Sequence, residues 1–173
     1  DVDNDPLLIS VTDGTNIFVI QDNNNITFSS NPDWFGIETF SITVSDNQLS
    51  DSETFTVTVE SINDIPVLTI NTEVSFNEDS STIIPFTTSD VDGDLITTSI
   101  VDCNLENDGS VLVNIENSSL NINSIENYNG SACFTLTAND SVDETSIDIN
   151  VTVIPVNDSP IITSIPSEIF DFS

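Results

Sequence analysis

The chain has 173 residues, including 30 Asp and Glu but no Lys, Arg or His, so its formal net charge is −30. Binding to nucleic acid, or to an anionic membrane through a basic patch, is excluded because both require Lys or Arg. Catalysis by His, by a Lys Schiff base or by a Ser-His-Asp triad is excluded because the chain contains neither His nor Lys. No apolar run reaches the length of a membrane-spanning helix, so membrane insertion is not expected. The charged side chains that remain available for binding or catalysis are carboxylates.

Runs of alternating apolar and polar residues predict β-strands that bury one face. In chain order, clear examples are residues 39–44, 54–59, 111–115 and 146–153. Turn-forming clusters such as Asp13-Gly14 separate the runs. No segment carries an apolar stripe of helical period, so the sequence predicts an all-β protein.

The sequence repeats itself, and the repeat defines the predicted domains. Segments that recur 94 residues later are 40–46 (as 134–140) and 62–66 (as 156–160), whereas 1–5 recurs 89 residues later as 90–94. The complete unit is predicted to span residues 65–158. Residues 1–64 match the last five strands of this unit, and residues 159–173 match its first strand.

The complete unit is predicted to contain seven short strands. They are placed near 67–70, 81–88, 96–101, 111–115, 119–123, 132–138 and 146–154. Seven short strands in a unit of this size are typical of an immunoglobulin-like β-sandwich. The predicted fold is therefore a tandem array of immunoglobulin-like sandwich repeats.

Four motifs resemble those of bacterial cadherin-like repeats, which occur in extracellular adhesins. They are the Glu78-Asp79-Ser80 turn, the Asp90-Val91-Asp92-Gly93-Asp94 loop, the strand 134–140 and the linker 156–160. The resemblance implies Ca²⁺ ions bound at the junctions between successive repeats, where they stiffen the array into a rod.

The resemblance also implies which residues would bind Ca²⁺. The junction between the first and second repeats would use Asn63, Asp64, Asp90, Asp92 and Asp140, with Asp94 as a further carboxylate of the same loop. The matching set at the preceding junction is Asp1, Asp3 and Asp46, and the following junction would use Asn157 and Asp158. Glu78, near a repeat end, is an additional candidate.

The chemistry of these residues agrees, since Ca²⁺ prefers carboxylate and carbonyl oxygens, whereas Zn²⁺ prefers nitrogen and thiolate ligands. The alternative is that the Asp and Asn residues are solvated turn formers. An EF-hand is rejected, because the loop at Asp90 lacks the required Gly and Glu spacing and lies among predicted strands.

Cys103 and Cys133 are the two cysteines of the chain. They fall at the end of the third and the start of the sixth predicted strand of the complete repeat, which are antiparallel neighbours in an immunoglobulin-like sandwich. We therefore expect a disulfide and an oxidising compartment, the alternative being two free thiols.

The function predicted from sequence is that of a Ca²⁺-stiffened, non-catalytic rod segment of a cell-surface adhesin or stalk. A first alternative is a filament subunit, in which residues 160–170 complete the first repeat of an identical chain by strand exchange. A second alternative is a glycan-binding module. The expected partners are neighbouring repeats of the same protein or identical chains, with any glycan or cell-surface ligand bound elsewhere in the parent protein. The expected location is extracellular.

Overall fold

The computed structural model describes residues 5–103 and 109–162, and these residues form strands and connecting loops. The all-β class predicted from sequence is confirmed. The chain divides into two compact units, one made of Asp1–Ile65 with Asp90–Leu95, the other of Pro66–Ser89 with Ile96–Ser173. Within the described part of the chain, no helix is long and apolar enough to cross a membrane.

The first unit contains five strands arranged in two sheets. They are β1 (Leu8–Val11), β2 (Ile17–Asp22), β3 (Asn25–Ser30), β4 (Gly36–Ser45) and β5 (Ser50–Val59). One sheet has the order β1-β4-β5, and the other is the β2-β3 hairpin. The sheets meet at an aromatic cluster, in which the Phe28 ring lies 5.4 Å from Phe40 and 5.9 Å from Phe55. Among the described residues of the first unit, Ile17 and Phe40 are the buried hydrophobic ones.

A carboxylate of the first unit holds the loop that connects β1 to β2. The Glu38 side chain on β4 accepts backbone hydrogen bonds from Thr15, Asn16 and Ile17 at 3.0, 2.8 and 3.2 Å. Desolvation acts to raise the pKa of Glu38, but these hydrogen bonds together outweigh it and hold the pKa below its usual value. A Cβ at Gly14 would lie 2.3 Å from Glu38 Oε2 and 2.4 Å from the Ile17 carbonyl oxygen, so only glycine fits in this loop.

The second unit contains eight strands in two four-stranded sheets. They are β6 (Val67–Ile70), β7 (Glu73–Asn77), β8 (Ser81–Ser89), β9 (Thr97–Asp102), β10 (Val111–Glu116), β11 (Ser119–Ser124), β12 (Gly130–Asn139) and β13 (Glu144–Ile154). The sheet orders are β10-β11-β8-β6 and β7-β13-β12-β9. The immunoglobulin-like sandwich expected from sequence is confirmed.

The strand count predicted for the second unit was one too low. β7 is an additional strand that pairs in parallel with the end of β13, from Glu73 opposite Asn150 to Asn77 opposite Ile154. The other seven strands lie within two or three residues of their predicted positions. The strand predicted in residues 159–173 concerns a segment that lies mostly outside the described residues.

The two sheets of the second unit enclose a continuous apolar core. Alternate residues of β11, β12 and β13 face inward, and the most deeply buried are Leu120, Ile122, Leu136, Ala138, Ile149 and Val151, all at 0% exposure. Alternation of this kind buries one face of each strand and leaves the other to solvent, as the sequence pattern predicts. The second unit therefore has a closed sandwich core.

A disulfide joins Cys103 and Cys133, as expected from sequence. Their Cα atoms are 5.5 Å apart, and the Cys103 N–H also donates to the Cys133 carbonyl oxygen at 3.2 Å. Asp148 lies close to the two sulfur atoms, but it accepts a hydrogen bond from Thr135 Oγ1 at 2.7 Å. Since disulfide sulfurs are poor metal ligands, this group is structural.

Candidate metal site

The loop that follows β8 brings three carboxylates together. Asp90, Asp92 and Asp94 each offer an oxygen, and these oxygens lie within 4.8 Å of one another. Two local features shape the loop. The Asp94 N–H donates to Asp90 Oδ1 at 3.1 Å, and Gly93 has a φ of 80°, a conformation that favours glycine. The alternating spacing of the acids thus converges their side chains, as the D-x-D-x-D pattern predicts.

One oxygen of this group is buried without a partner. Asp90 Oδ2 is inaccessible to solvent and makes no hydrogen bond in the described part of the chain. A buried carboxylate oxygen that lacks a hydrogen bond or a counter-charge is costly. Because the sequence contains no Lys, Arg or His, no side chain of the protein can supply a compensating positive charge. The donor set therefore fits a bound cation.

The linker that precedes Pro66 holds Asp92 by both of its oxygens. Ser61 Oγ donates to Asp92 Oδ1 and the Asp64 N–H donates to Asp92 Oδ2, each at 2.8 Å. Desolvation raises the pKa of the Asp64 carboxyl. Three neighbouring carboxylates raise it further, namely Asp92, Asp33 and Asp90 in decreasing order of effect. The Asp64 carboxylate is thus repelled by its neighbours, and a bound cation would relieve this repulsion.

Asp33 is a member of this group that the sequence analysis missed. It lies in the Asn31-Pro32-Asp33-Trp34 loop with a φ of 58°, and it lines an open cavity of about 440 Å³ together with Asp64, Asp92 and Trp34. Its counterpart in the second repeat is Asn127, which has the same φ, but the sequence carries no signal that singles out Asp33 as a ligand.

The repeat-equivalent residues Asp46 and Asp140 cap turns. Asp46 Oδ1 accepts hydrogen bonds from Gln48 and Leu49 at 2.8 and 2.6 Å, and these two bonds hold the pKa of Asp46 below its usual value. Asp140, which is 5% exposed, accepts two bonds at 2.7 Å from the N–H groups two and three residues later. Among the described residues, neither belongs to the three-carboxylate group at Asp90.

The remaining predicted ligands lie in the linkers that follow β5 and β13, beside the second of these linkers, or outside the described residues. Glu78 is 7% exposed and accepts a hydrogen bond from the Val156 N–H at 2.6 Å, so its carboxylate lies beside the linker. Within that linker, Asn157 Nδ2 donates to the Asp158 carbonyl oxygen at 3.2 Å. The earlier linker contains the equivalent hydrogen bond, from Asn63 Nδ2 to the Asp64 carbonyl oxygen at 3.3 Å. Asp1 and Asp3 lie outside the described residues.

Comparison with known proteins identifies the fold and the family. A family model described as bacterial Ig domain matches residues 1–59 and 63–154. The structure of human protocadherin-24 EC1-2 is similar with a TM-score of 0.58 and 19% identity, over 89% of this chain and 85% of that one. No curated protein matches the chain significantly.

Two further solved structures show weaker similarity. They are surface layer protein SbsC, domains 1-6 (TM-score 0.48, 15% identity, 88% of this chain and 20% of that one), and an endo-fucoidan hydrolase of glycoside hydrolase family 107 (TM-score 0.39, 18% identity, 90% and 24%). The chain thus spans a quarter or less of these proteins, and both scores are too low to support an argument about function. The cadherin-like resemblance inferred from sequence is confirmed by the family match and the protocadherin fold. With two matches that together cover most of its length, the chain belongs to the bacterial Ig domain family.

Proposed function

We propose that the chain is a Ca²⁺-binding, non-catalytic structural segment of an extracellular protein, and that bound Ca²⁺ stiffens its repeats into a rod of an adhesin or stalk. The single observation that carries the proposal is the buried, unpartnered Asp90 Oδ2 within a group of three carboxylates. In a chain without a single cationic side chain, a metal ion is the simplest source of the missing charge.

The chemistry of the site favours Ca²⁺ over other metals. Ca²⁺ accepts six to eight oxygen ligands in flexible geometry, whereas Mg²⁺ requires a near-ideal octahedron and retains several waters. The ligands proposed for this cluster are Asp33, Asp64, Asp90, Asp92 and Asp94. All of them are oxygen donors, and no nitrogen donor that would favour Zn²⁺ accompanies them.

The other residues predicted from sequence are proposed as ligands at the repeat ends. They are Asn63 and Asp140, the earlier set Asp1, Asp3 and Asp46, and the later set Glu78, Asn157 and Asp158. Support for the later set is that Glu78 is a nearly buried acid beside the linker. Asp46 and Asp140 each cap a turn through Oδ1, and both are proposed as ligands because they occupy equivalent positions in the two repeats.

Two features support an extracellular, non-catalytic role. The Cys103–Cys133 disulfide is of a kind that persists in oxidising compartments. The chain also lacks His, Lys and Arg, so general acid–base or nucleophilic catalysis would have to rely on carboxylates alone. A carboxylate cluster that is buried in part and mutually repelling is better suited to holding a cation than to turning over a substrate.

The proposal is tested by calorimetric titration of the full chain with Ca²⁺, using Asp90→Asn and Asp51→Asn variants. Asp51 is an exposed acid of the same unit and serves as the matched control. We expect wild-type and Asp51→Asn to bind Ca²⁺ with similar affinity, and Asp90→Asn to lose at least about tenfold. Equal affinity of all three proteins would contradict the proposed site.

A second readout separates a metal ligand from a residue that is merely structural. In chelator, Asp90→Asn removes one of the charges that raise the pKa of Asp64. The variant should therefore be at least as stable as wild-type without Ca²⁺, although it gains less stability when Ca²⁺ is added. A variant that is destabilised equally in chelator and in Ca²⁺ would assign Asp90 a structural role instead.

A further inference from the structure

The disulfide lies on the outer face of the β7-β13-β12-β9 sheet. Cys133 stands between the buried residues Ala132 and Phe134 on β12, so its side chain points away from the core, and it is partly exposed to solvent. Cys103, which follows β9, is partly exposed as well. Both sulfur atoms are therefore open to a small reagent or an ion from outside the sandwich.

A carboxylate lies beside the two sulfurs on the same face. The Asp148 side chain on β13 offers an oxygen, and this oxygen and both Sγ atoms lie within 4.8 Å of one another. The two sulfurs are close because they are bonded, so Asp148 is the independent member of the group. Asp148 pairs with Thr135, which lies two positions beyond Cys133 on the same face of β12. Strand pairing, rather than the disulfide bond, thus brings the carboxylate to the cysteines.

The Asp148 carboxylate is held by a neutral donor. Thr135 Oγ1 donates to Asp148 Oδ1 at 2.7 Å. A hydrogen bond of this kind orients a metal-binding carboxylate without neutralising it. Because the chain has no Lys, Arg or His, no side chain of the protein can neutralise Asp148, or the cysteines once they are reduced and ionised. The reduced group is therefore an unneutralised set of two thiols and one acid.

We propose that reduced Cys103 and Cys133 form, with Asp148, a site for Zn²⁺ that disulfide formation abolishes. A disulfide sulfur is a poor ligand, whereas a thiolate is a strong one. Two thiolates and one carboxylate suit Zn²⁺, whose fourth tetrahedral position is then open to water, and not Ca²⁺, which prefers oxygen ligands.

The distances in the group suit a tetrahedral ion. Zn–S bonds of about 2.3 Å and Zn–O bonds of about 2.1 Å place the ligand atoms about 3.6–3.8 Å apart, within the separation that the group already has. The cysteine Cα atoms are 5.5 Å apart. Once the S–S bond is broken, rotation about the Cα–Cβ bonds is enough to separate the two sulfurs.

The reduced state requires a reductant, which a small thiol such as glutathione supplies. Two molecules of the thiol transfer two electrons and two protons to the disulfide and join as a disulfide themselves, leaving two cysteine thiols. Zn²⁺ binding then displaces two protons, because the thiolates are the ligands. Reoxidation removes both thiolates and releases the ion. Bound Zn²⁺ and the disulfide thus exclude each other, so the metal-bound form belongs to the chain before it meets an oxidising compartment.

The first experiment titrates the reduced full chain with Co²⁺, a spectroscopic substitute for Zn²⁺. The protein is reduced with a phosphine that is then removed without exposure to air, and excess Ca²⁺ keeps Co²⁺ from the acidic group at Asp90. We expect thiolate-to-cobalt charge-transfer absorption that Zn²⁺ displaces, and none with oxidised protein. Asp148→Asn should weaken Co²⁺ binding at least about tenfold. Glu144→Gln, which removes an exposed acid from the same face of β13, is the matched control and should bind like wild-type.

The Asp148 comparison also covers loss of folding on reduction. An unfolded chain binds Co²⁺ through its thiolates without regard to Asp148, because the strand pairing that brings the carboxylate to the sulfurs is lost. Dependence of the affinity on Asp148 is therefore a property of the folded second unit. Circular dichroism of the same samples reports whether that unit keeps its strands.

The second experiment measures the rate at which oxidised glutathione restores the disulfide. With Zn²⁺ at about ten times its dissociation constant, about a tenth of the thiols stay free, so disulfide formation should slow about tenfold. At the same Zn²⁺ concentration, Asp148→Asn should be slowed no more than about twofold. Alkylation of the remaining thiols and mass spectrometry give both rates.

Three results would overturn the inference. They are the absence of charge-transfer absorption in reduced wild-type protein, equal Co²⁺ affinity of wild-type and Asp148→Asn, and disulfide formation at the same rate with and without Zn²⁺. None of them involves the acidic group at Asp90, so failure here is distinguishable from failure of the proposed Ca²⁺ site.

Discussion

Removal of the Cys103–Cys133 disulfide should destabilise the second unit and leave the first unit unchanged. The bridge connects the end of β9 to β12, and both cysteines belong to the second unit. A disulfide stabilises a protein mainly because it restricts the unfolded chain, and the restriction grows with the length of the loop that it closes. The perturbation is the double variant Cys103→Ala/Cys133→Ala, which removes the bridge without leaving a reactive thiol.

The magnitude follows from the loop. The two cysteines are separated by 30 positions in the sequence. The chain-entropy relation then gives about 3.6 kcal/mol of lost stability at about 25 °C. For a unit of roughly 100 residues, with an unfolding entropy near 2.1 cal/mol/K per residue, this corresponds to a fall of about 17 °C in melting temperature.

The assay is urea denaturation followed by two signals. Circular dichroism reports on both units, and Trp34 fluorescence reports on the first unit alone. We expect the transition that is seen only by circular dichroism to shift to lower urea, while the Trp34 transition keeps its midpoint. Wild-type protein treated with a reductant is the control for lost side-chain packing and should behave like the variant. A loss below about 1 kcal/mol, or a Trp34 transition that moves by the same amount, would refute this account.

Three further changes test the packing of each unit. Glu38→Gln should destabilise the first unit at pH values above the usual pKa of Glu, where the wild-type carboxylate is ionised and accepts the hydrogen bonds of the loop between β1 and β2. Because the pKa of Glu38 is lowered in the folded state, the difference in stability from wild-type should vanish as the pH falls through that pKa. A difference that does not change with pH would contradict the role of the ionised carboxylate. Gly14→Ala should lower the Trp34 melting temperature, since its Cβ would overlap the Ile17 carbonyl oxygen; an unchanged value would argue against the close approach. Val151→Ala should lower the free energy of unfolding of the second unit by about 2 kcal/mol, because Val151 is fully buried. The counterpart Val57→Ala should lower that of the first unit clearly less, because Val57 is only half-buried. Equal losses in urea denaturation would mean that the two valines are equally well packed.

The sequence predicted most of the fold because alternation and internal repetition are strong signals for this architecture. A period of two along β12 and β13 assigned one face to the core, and the 94-residue offset carried the assignment to β4 and β5. β7 was missed for a physical reason. Only two residues separate β7 from β6, so the two strands read as one run in the sequence. The partner of β7 is β13, about 77 positions away, and no local sequence pattern predicts a parallel pair over that distance.

The candidate site was predictable in part. The spacing of Asp90, Asp92 and Asp94 predicted convergent carboxylates, and the structure brings their oxygens together. Asp33 was missed because an acid in a turn is usually a solvated turn former, and nothing in the local sequence distinguishes it from one. Its membership of the group emerges only from tertiary contacts with the linker around Asp64.

Asp46 is a residue that the sequence predicts as a metal ligand and that the structure shows capping a turn. The sequence motif places Asp46 and Asp140 in the corresponding metal sets of two successive junctions, whereas the structure shows each residue accepting hydrogen bonds from the turn that follows. Capping a turn and binding a metal place the same demand on a carboxylate, namely that it stay ionised. Sequence pattern alone therefore cannot separate the two roles.

The most direct test of the central claim is thermal unfolding of the full chain, followed by Trp34 fluorescence, in chelator and in about 10 mM Ca²⁺. Extracellular modules bind Ca²⁺ with dissociation constants of about 10⁻⁴ to 10⁻³ M, so the ion should stabilise the first unit by about 1.4 to 2.7 kcal/mol. Because Trp34 lines the cavity that contains Asp33, Asp64 and Asp92, its melting temperature should rise by about 6–20 °C. The same Trp34 melting curve in chelator and in Ca²⁺ would contradict the claim that this acidic group binds calcium.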